Sequence, residues 1–138
     1  MKIVIDTNVL VAALRSRRGA SFKLVSFLPS NKFSNVISVP LVFEYEDVLK
    51  RQESSAITEQ DIGDFIDFLC KIGRHQEIFF LWRPFLPDPA DDHVLEVAVA
   101  AGCDAIVTYN KRDFKGIEKF DLRVLDPREL LSEIGVIK

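Results

Sequence analysis

The sequence is poor in the residues that redox, zinc and membrane proteins use. It has two cysteines, Cys70 and Cys103, and two histidines among 138 residues. Because the cysteines are far apart and match no metal or redox spacing, we expect buried thiols rather than a disulfide. No apolar run approaches the roughly 18 residues that a membrane helix needs, and Asp6 interrupts the stretch in which a secretory signal would continue. We therefore predict a cytoplasmic protein that does not associate with a membrane.

The glycines form no motif for a phosphate or an acyl substrate. The six glycines are scattered, and neither G-x-G-x-x-G nor the P-loop pattern occurs. A G-x-S-x-G nucleophile elbow is also missing. His75 and His93 are too far apart to form a zinc-binding pair, and we interpret His93 as a residue of a first helical turn. These absences argue against dinucleotide-binding enzymes, P-loop nucleotidases, serine hydrolases and zinc enzymes.

The composition is that of an ordinary soluble globular protein. Hydrophobic residues make up 48% and charged residues 28% of the chain, which argues against disorder. The length suits one compact domain over 1–138, with enough residues for a real core. The net charge of −3 does not by itself indicate a nucleic-acid-binding protein.

Strand-like and helix-like segments alternate along the chain. This alternation predicts an α/β sandwich with a mostly parallel sheet. The predicted strands are 2–6, 35–39, 78–82, 104–108 and 122–125, and the predicted helices are 8–15, 20–28, 40–51, 59–73, 91–101 and 127–134.

Acidic residues fall at the ends of predicted strands and the starts of predicted helices. Asp6 ends an apolar strand, Asp113 follows the strand 104–108, and Asp91 and Asp92 begin a helix. Ligand sites in parallel α/β sheets form beyond the carboxyl ends of the strands, so these acids can meet at one edge. Each of them is also explained as a helix cap or a turn residue. A cap, however, does not explain why Asp6 ends an otherwise apolar strand.

Carboxylates gathered at one edge repel one another and are costly to bury. A divalent cation removes both costs. Without cysteine or a histidine pair, such a site suits Mg²⁺ or Mn²⁺. A further acid on the helix 40–51 is Glu44 or Glu46. These residues flank opposite edges of its apolar stripe, and the helical wheel does not choose between them.

Four stretches in this order resemble a PIN domain. They are "VIDTNVLVAAL", "SVPLVFEYEDVLKR", "DPADDHVLEVAVAAGCDAIVTYNKRDF" and "RVLDPRELL". More narrowly, they resemble the toxins of prokaryotic toxin–antitoxin pairs, the virulence-associated protein C-like ribonucleases. The resemblance implies a three-layer α/β/α sandwich around a mostly parallel sheet. It also implies an acidic Mg²⁺ or Mn²⁺ site that cleaves RNA, a homodimer, and a cognate antitoxin protein that silences the site.

The resemblance also assigns roles to individual residues. The first family aspartate matches Asp6, and the helix glutamate matches Glu44, which decides between the two glutamates. The third acid matches Asp91, with Asp92 as the neighbouring alternative. Asp113 matches the last acid. The residues that would orient these carboxylates or their waters are Thr7, Asn8, Thr108 and Asn110, the last of which stands where many members carry an aspartate.

An RNA substrate needs positive charge near the acids. Setting aside the four matched acids changes the net charge of the rest of the chain from −3 to +1. Two clusters of basic residues follow the strand-end motifs, and we predict that they bind RNA. They are Arg15, Arg17 and Arg18 in the first cluster and Lys111 and Arg112 in the second.

Other functions fit the same pattern less well. A haloacid-dehalogenase-like phosphatase wants a second acid two residues after Asp6, where this chain has Asn8. A receiver-type phosphoacceptor domain needs a later strand-end lysine that is not clear here. Within the PIN resemblance, the alternatives are an RNA-processing nuclease that is not a toxin and a non-catalytic PIN-fold interaction module.

Overall fold

The computed structural model describes residues 1–137 and confirms an α/β architecture. Apolar runs form the strands, and amphipathic segments form the helices. The strands are β1 (Lys2–Ile5), β2 (Ser34–Ile37), β3 (Arg74–His75), β4 (Ala105–Val107) and β5 (Arg123–Leu125), and the helices are α1 (Thr7–Arg15), α2 (Ala20–Ser26), α3 (Val39–Lys50), α4 (Glu59–Ile72), α5 (Asp92–Ala100) and α6 (Pro127–Glu133). Short 3-10 turns occupy Pro89–Asp91, Lys111–Phe114 and Ile117–Phe120.

The five strands form one parallel sheet in the order β3-β2-β1-β4-β5. At its centre Ile3, Val4 and Ile5 pair with Ala105, Ile106 and Val107. All six of these side chains are buried, as expected for parallel strands that are covered on both faces. The predicted parallel sheet is therefore confirmed.

Helices cover both faces of the sheet. The chain runs outward from β1 to β2 and β3 and then reverses to β4 and β5. Since crossovers between parallel strands are right-handed, the helices of the crossovers before and after the reversal lie on opposite faces. The first group, α1 to α4, is joined by α6, which contacts α2, while α5 lies against β1 and β4. This is the predicted three-layer α/β/α sandwich.

The predicted strand 78–82 is wrong. The third strand is the two-residue β3, and residues 76–83 form no ladder beyond the bond from the Gln76 N–H to the Ile37 carbonyl. The Trp82 N–H, which a strand would donate to a neighbour, instead donates to the Glu96 carboxylate at 2.8 Å. Pro84 follows two residues after Trp82 and restricts the backbone of Arg83. Residues 76–83 therefore form an irregular segment across α5, which we call the strap.

Two smaller expectations have mixed outcomes. Both cysteines are free, and Cys103 is buried, but Cys70 is only half-buried. No helix within the described residues 1–137 is long and apolar enough to cross a bilayer.

The topology places a crevice at the carboxyl ends of β1 and β4. These strands are neighbours, and the connections that leave them run in opposite directions across the sheet. Such a switch point opens a crevice where ligands bind in open α/β sheets. Asp6 directly follows β1, and Thr108 directly follows β4.

Candidate acidic site

Asp6 caps α1 and also faces the crevice. Its Oδ1 accepts a hydrogen bond from the Thr7 N–H at 2.9 Å, and its Oδ2 accepts one from the Thr108 hydroxyl at 2.8 Å. The Asn8 side-chain amide lies 3.2 Å from the Thr108 hydroxyl and 3.4 Å from Oδ2 of Asp6. Burial raises the pKa of Asp6 above its ordinary value, although the hydrogen bond from Thr108 opposes this shift. The cap and the site explanations of Asp6 are therefore both compatible with the structure.

Glu44 points from α3 toward the same crevice. One carboxylate oxygen accepts a hydrogen bond from the Thr7 hydroxyl, and the other lies 3.3 Å from Nε2 of His93. Burial pushes the pKa of Glu44 upward, but the contacts with His93 and Thr7 hold it below its ordinary value. Glu46, the alternative from the helical wheel, instead pairs with Lys50 at 2.9 Å.

Asp91 and Asp92 are neighbours in sequence but face different surroundings. Asp92 is fully buried, and its Oδ1 accepts the Leu86 N–H at 2.9 Å. Asp91 lines the crevice and, within residues 1–137, makes no side-chain cap bond to α5. The structure therefore brings Asp91, and not Asp92, together with Asp6 and Glu44.

These acids belong to one cleft of about 610 Å³. Asp113, in the 3-10 turn after β4, completes the set of four acids, and Asn110 lies beside it. Thr108 lies behind Asp6, and its hydroxyl accepts the Asn110 N–H at 3.0 Å. The cleft is lined by Asp6, Thr7, Asn8, Val11, Ala12, Arg15, Ser16, Glu44, Val48, Gln52, Asp91, Asn110 and Asp113.

The cleft carries uncompensated negative charge. Burial, together with the nearby carboxylates of Asp6, Asp88, Asp113 and Glu44, raises the pKa of Asp91 to about 6. A carboxylate with such a pKa is held against the repulsion of its neighbours. An added positive charge in the cleft would remove that repulsion.

The side chains present suit a hard divalent cation. The four acids of the cleft offer carboxylate oxygens, and Asn110 adds an amide oxygen. Oxygen ligands of these kinds are the ones that Mg²⁺ and Mn²⁺ prefer. Within the described residues, however, no three Asp, Glu, His or Cys side chains already form a ready-made ligand cluster. The cleft is thus a candidate by its donors and its charge, and not by a preformed cage.

The predicted basic residues differ in their surroundings. Arg15 lines the cleft, whereas Arg17 and Arg18 are exposed in the segment after α1. Lys111 pairs with Glu129 on α6, and so its charge is already partnered. Arg112 is exposed. Of the five, the structure brings only Arg15 into the cleft.

Two residues at the site had no clear signal in the sequence. His93 contacts Glu44 from the first turn of α5, although the sequence predicted only a helical residue there. Gln52, in the turn after α3, accepts hydrogen bonds from the Arg15 guanidinium. The position of His93 directly after Asp92 was the only hint for it, and nothing in the sequence singled out Gln52.

A second groove of about 640 Å³ lies on the other side of His93. Its apolar lining includes Val39, Phe79 and Leu81, all largely exposed. His93 lines this groove while its Nε2 faces Glu44 of the acidic cleft. Within residues 1–137, its buried Nδ1 has no hydrogen-bond partner. The groove has fewer acids than the cleft, and so the cleft is the candidate acidic site.

Comparison with known proteins gives a family and a fold. A family model for the PIN domain matches residues 2–112. A chain of VapBC-1 from nontypeable Haemophilus influenzae superposes with a TM-score of 0.63 at 17% identity, covering 93% of this chain and 99% of that chain. A chain of VapBC2 from Rickettsia felis, in a structure bound to a DNA fragment from the promoter, superposes with a TM-score of 0.63 at 17% identity. The match covers 91% of this chain and 100% of that chain. No curated protein matches the chain by sequence.

Proposed function

We propose that this chain, which belongs to the PIN domain family, is a divalent-metal-dependent ribonuclease and the toxin of a toxin–antitoxin pair. The observation that carries the nuclease proposal is the cleft in which Asp6, Glu44, Asp91 and Asp113 meet. The toxin assignment is supported by the motif resemblance and by the VapBC folds, and it is the less direct of the two.

The residues that would hold the cation are the four cleft carboxylates. When bound, Mg²⁺ or Mn²⁺ supplies an acidified water as nucleophile and positive charge beside the phosphate. Thr108 and the Thr7 N–H fix the carboxylate of Asp6, and Thr7 and His93 fix that of Glu44. These bonds orient the carboxylates of Asp6 and Glu44, and such orienting contacts strengthen metal sites.

A non-catalytic PIN-fold module is a weaker explanation of the same geometry. A binding module gains nothing from a carboxylate whose pKa is raised to about 6 by its neighbours, and such a cost is typical of functional sites. The alternative of an RNA-processing nuclease uses the same cleft. It differs from the toxin proposal in its partner protein and not in its chemistry.

The exposed apolar surface supports a protein partner. Val39 and Phe43 on α3 and Phe79, Phe80 and Leu81 on the strap are between 61% and 83% exposed. Contiguous apolar surface of this kind marks interaction sites. We assign this surface to a second copy of the chain, and the acidic cleft to the antitoxin that would cover it.

Cleavage of a panel of single-stranded RNAs tests the nuclease proposal. We expect the wild-type protein to cleave in Mg²⁺ or Mn²⁺ and to be inactive in EDTA. Asp6→Asn should reduce cleavage at least 100-fold while unfolding at a similar temperature. Equal cleavage by the two proteins would point to a contaminating nuclease, and cleavage in EDTA would contradict the metal mechanism.

A further inference from the structure

Among the described residues 1–137, Arg15 is the one basic side chain that lines the acidic cleft. It is the last residue of α1, and its side chain is exposed at the rim. Among residues 1–137, no carboxylate lies within 4.0 Å of its guanidinium. Arg15 therefore keeps its full charge beside four acids.

Gln52 holds this guanidinium in place. Its Oε1 accepts hydrogen bonds from Nε of Arg15 at 3.0 Å and from Nη2 at 2.6 Å. Gln52 is half-buried, and its own N–H is bonded to the Leu49 carbonyl in the turn after α3. The acceptor thus sits on a fixed turn and orients Arg15 across the rim of the cleft.

The neutrality of Gln52 distinguishes this pair from other arginine pairs of the protein. Arg51, Arg83 and Arg123 each contact a carboxylate, at 2.5 Å, 2.6 Å and 2.6 Å. A carboxylate partner would cancel the charge of Arg15, whereas an amide oxygen orients it and leaves the charge available. Within residues 1–137, Nη1 of the guanidinium makes no hydrogen bond, and so it is free to donate to an acceptor outside the chain.

We propose that Arg15, oriented by Gln52, binds a phosphate of the RNA strand next to the phosphate that lies over the carboxylates. This inference rests on the proposed ribonuclease function and names a substrate contact for it. A guanidinium fork matches a phosphate better than an ammonium does. A cleft of four acids repels RNA, so a cation fixed at its rim is the local attraction that guides the strand. Arg15 is then a substrate-binding residue, and Gln52 is its positioning residue.

The opposing explanation is that Arg15 merely offsets the charge of the acids. In that case Arg15→Ala would leave the RNA affinity unchanged and tighten the binding of Mn²⁺, because one repelling cation is gone. The phosphate-binding proposal predicts the reverse, with weaker RNA binding and Mn²⁺ affinity within about twofold of the wild type.

Steady-state cleavage of a single-stranded RNA in Mn²⁺ distinguishes phosphate binding by Arg15 from simple charge compensation. We expect Arg15→Ala to raise KM about tenfold, the loss expected for a charged hydrogen bond, with a smaller change in kcat. Plotting log KM against log salt should give a slope that is lower by about 0.7, the value for one lost contact with a single strand. Arg51→Ala is the matched control, since Arg51 lies beside Gln52 but pairs with Asp47. The KM of Arg51→Ala should stay within about twofold of the wild-type value.

Variants of Gln52 test the positioning role. Gln52→Glu keeps an acceptor of the same shape but pairs with Arg15 and cancels its charge, and so we expect KM to rise nearly as far as in Arg15→Ala. A purely structural role would tolerate this variant. Gln52→Ala frees the guanidinium and should raise KM about threefold. Arg15→Ala/Gln52→Ala should match Arg15→Ala alone, because coupled residues are not additive.

The outcomes are distinguishable. Normal KM and salt slope in Arg15→Ala, with the wild type active, would overturn the contact but leave the nuclease proposal standing. A tolerated Gln52→Glu would overturn the positioning role. A wild-type protein that neither binds nor cleaves RNA would overturn both proposals together.

Discussion

At the scale of single residues, the charge on Asp91 costs the protein stability. The pKa of Asp91 is raised to about 6 in the folded protein by burial and by the carboxylates around it. The pKa of an unfolded aspartate is about 3.8. Between these values the folded state binds more protons than the unfolded state, and so the unfolding free energy falls as the pH rises through this window. Above about pH 6 the full penalty is present.

Replacing Asp91 with a neutral isostere should therefore stabilise the metal-free protein. We predict that Asp91→Asn raises the unfolding free energy by about 1–2 kcal/mol at pH 7, a figure discounted for partial exposure. The gain should shrink as the pH falls from 6 toward 4. Urea unfolding in EDTA at several pH values measures it, with exposed Asp67→Asn on α4 as control. A gain that does not depend on pH would contradict this explanation.

Asp92 should behave in the opposite way. Its carboxylate accepts the Leu86 N–H in the core, and removing it leaves that donor unsatisfied. We predict that Asp92→Ala lowers the unfolding free energy by about 2–3 kcal/mol but changes the Mn²⁺ affinity of the folded protein less than threefold. Titration calorimetry below the unfolding temperature of Asp92→Ala measures this Mn²⁺ affinity. Loss of Mn²⁺ binding in folded Asp92→Ala would show that Asp92, and not Asp91, is the third acid.

At the scale of elements, the sequence predicts what depends on local pattern. Apolar periodicity located the α-helices and four of the five strands, and Thr58 caps α4. Residues 78–82 of the strap were mistaken for a strand because the group that holds them is not local. Its path is set by the buried Glu96, which accepts the Trp82 N–H and two bonds from Arg83. Because Glu96 belongs to α5, the composition of the strap itself does not indicate this contact.

The strap should loosen when Glu96 is removed. Glu96 is 2% exposed, and Glu96→Ala leaves the Trp82 N–H and the Arg83 guanidinium without this acceptor. We predict a loss of about 3 kcal/mol in unfolding free energy and faster amide hydrogen exchange over 77–90. The exposed Glu118→Ala serves as control. Unchanged exchange in the strap would show that other contacts hold it.

At the scale of the whole molecule, the topology explains why distant residues meet. Asp6, Glu44, Asp91 and Asp113 come from four separate segments, and the motif resemblance indicated each of them, while Asp91 and Asp92 were separated only by the structure. Thr7, Asn8 and Asn110 line the cleft, and Thr108 contacts Asp6 from behind it. The pairing of Arg15 with Gln52 and the contact of His93 with Glu44 depend on side-chain geometry between elements, which no local pattern encodes.

The exposed apolar surface predicts self-association. Phe79 is 83% exposed and Phe43 is 66% exposed, and we assign both to the contact between two copies. We predict that the wild type sediments as a dimer at micromolar concentration and that Phe43→Ser/Phe79→Ser sediments as a monomer with unchanged circular dichroism. Phe22→Ser, on α2, is the control. A wild-type monomer would remove this assignment and leave the surface to another partner.

Mn²⁺ binding, measured by titration calorimetry at pH 7, tests most directly whether the cleft holds a divalent metal. If the cleft is a divalent-metal site, the wild type should bind Mn²⁺ with a measurable heat. Asp6→Asn and Asp91→Asn should weaken that binding at least tenfold, while Asp67→Asn should not change it. The cleft would not be a divalent-metal site if Asp6→Asn and Asp91→Asn kept the wild-type affinity for Mn²⁺. The same would follow if the folded wild type bound no Mn²⁺.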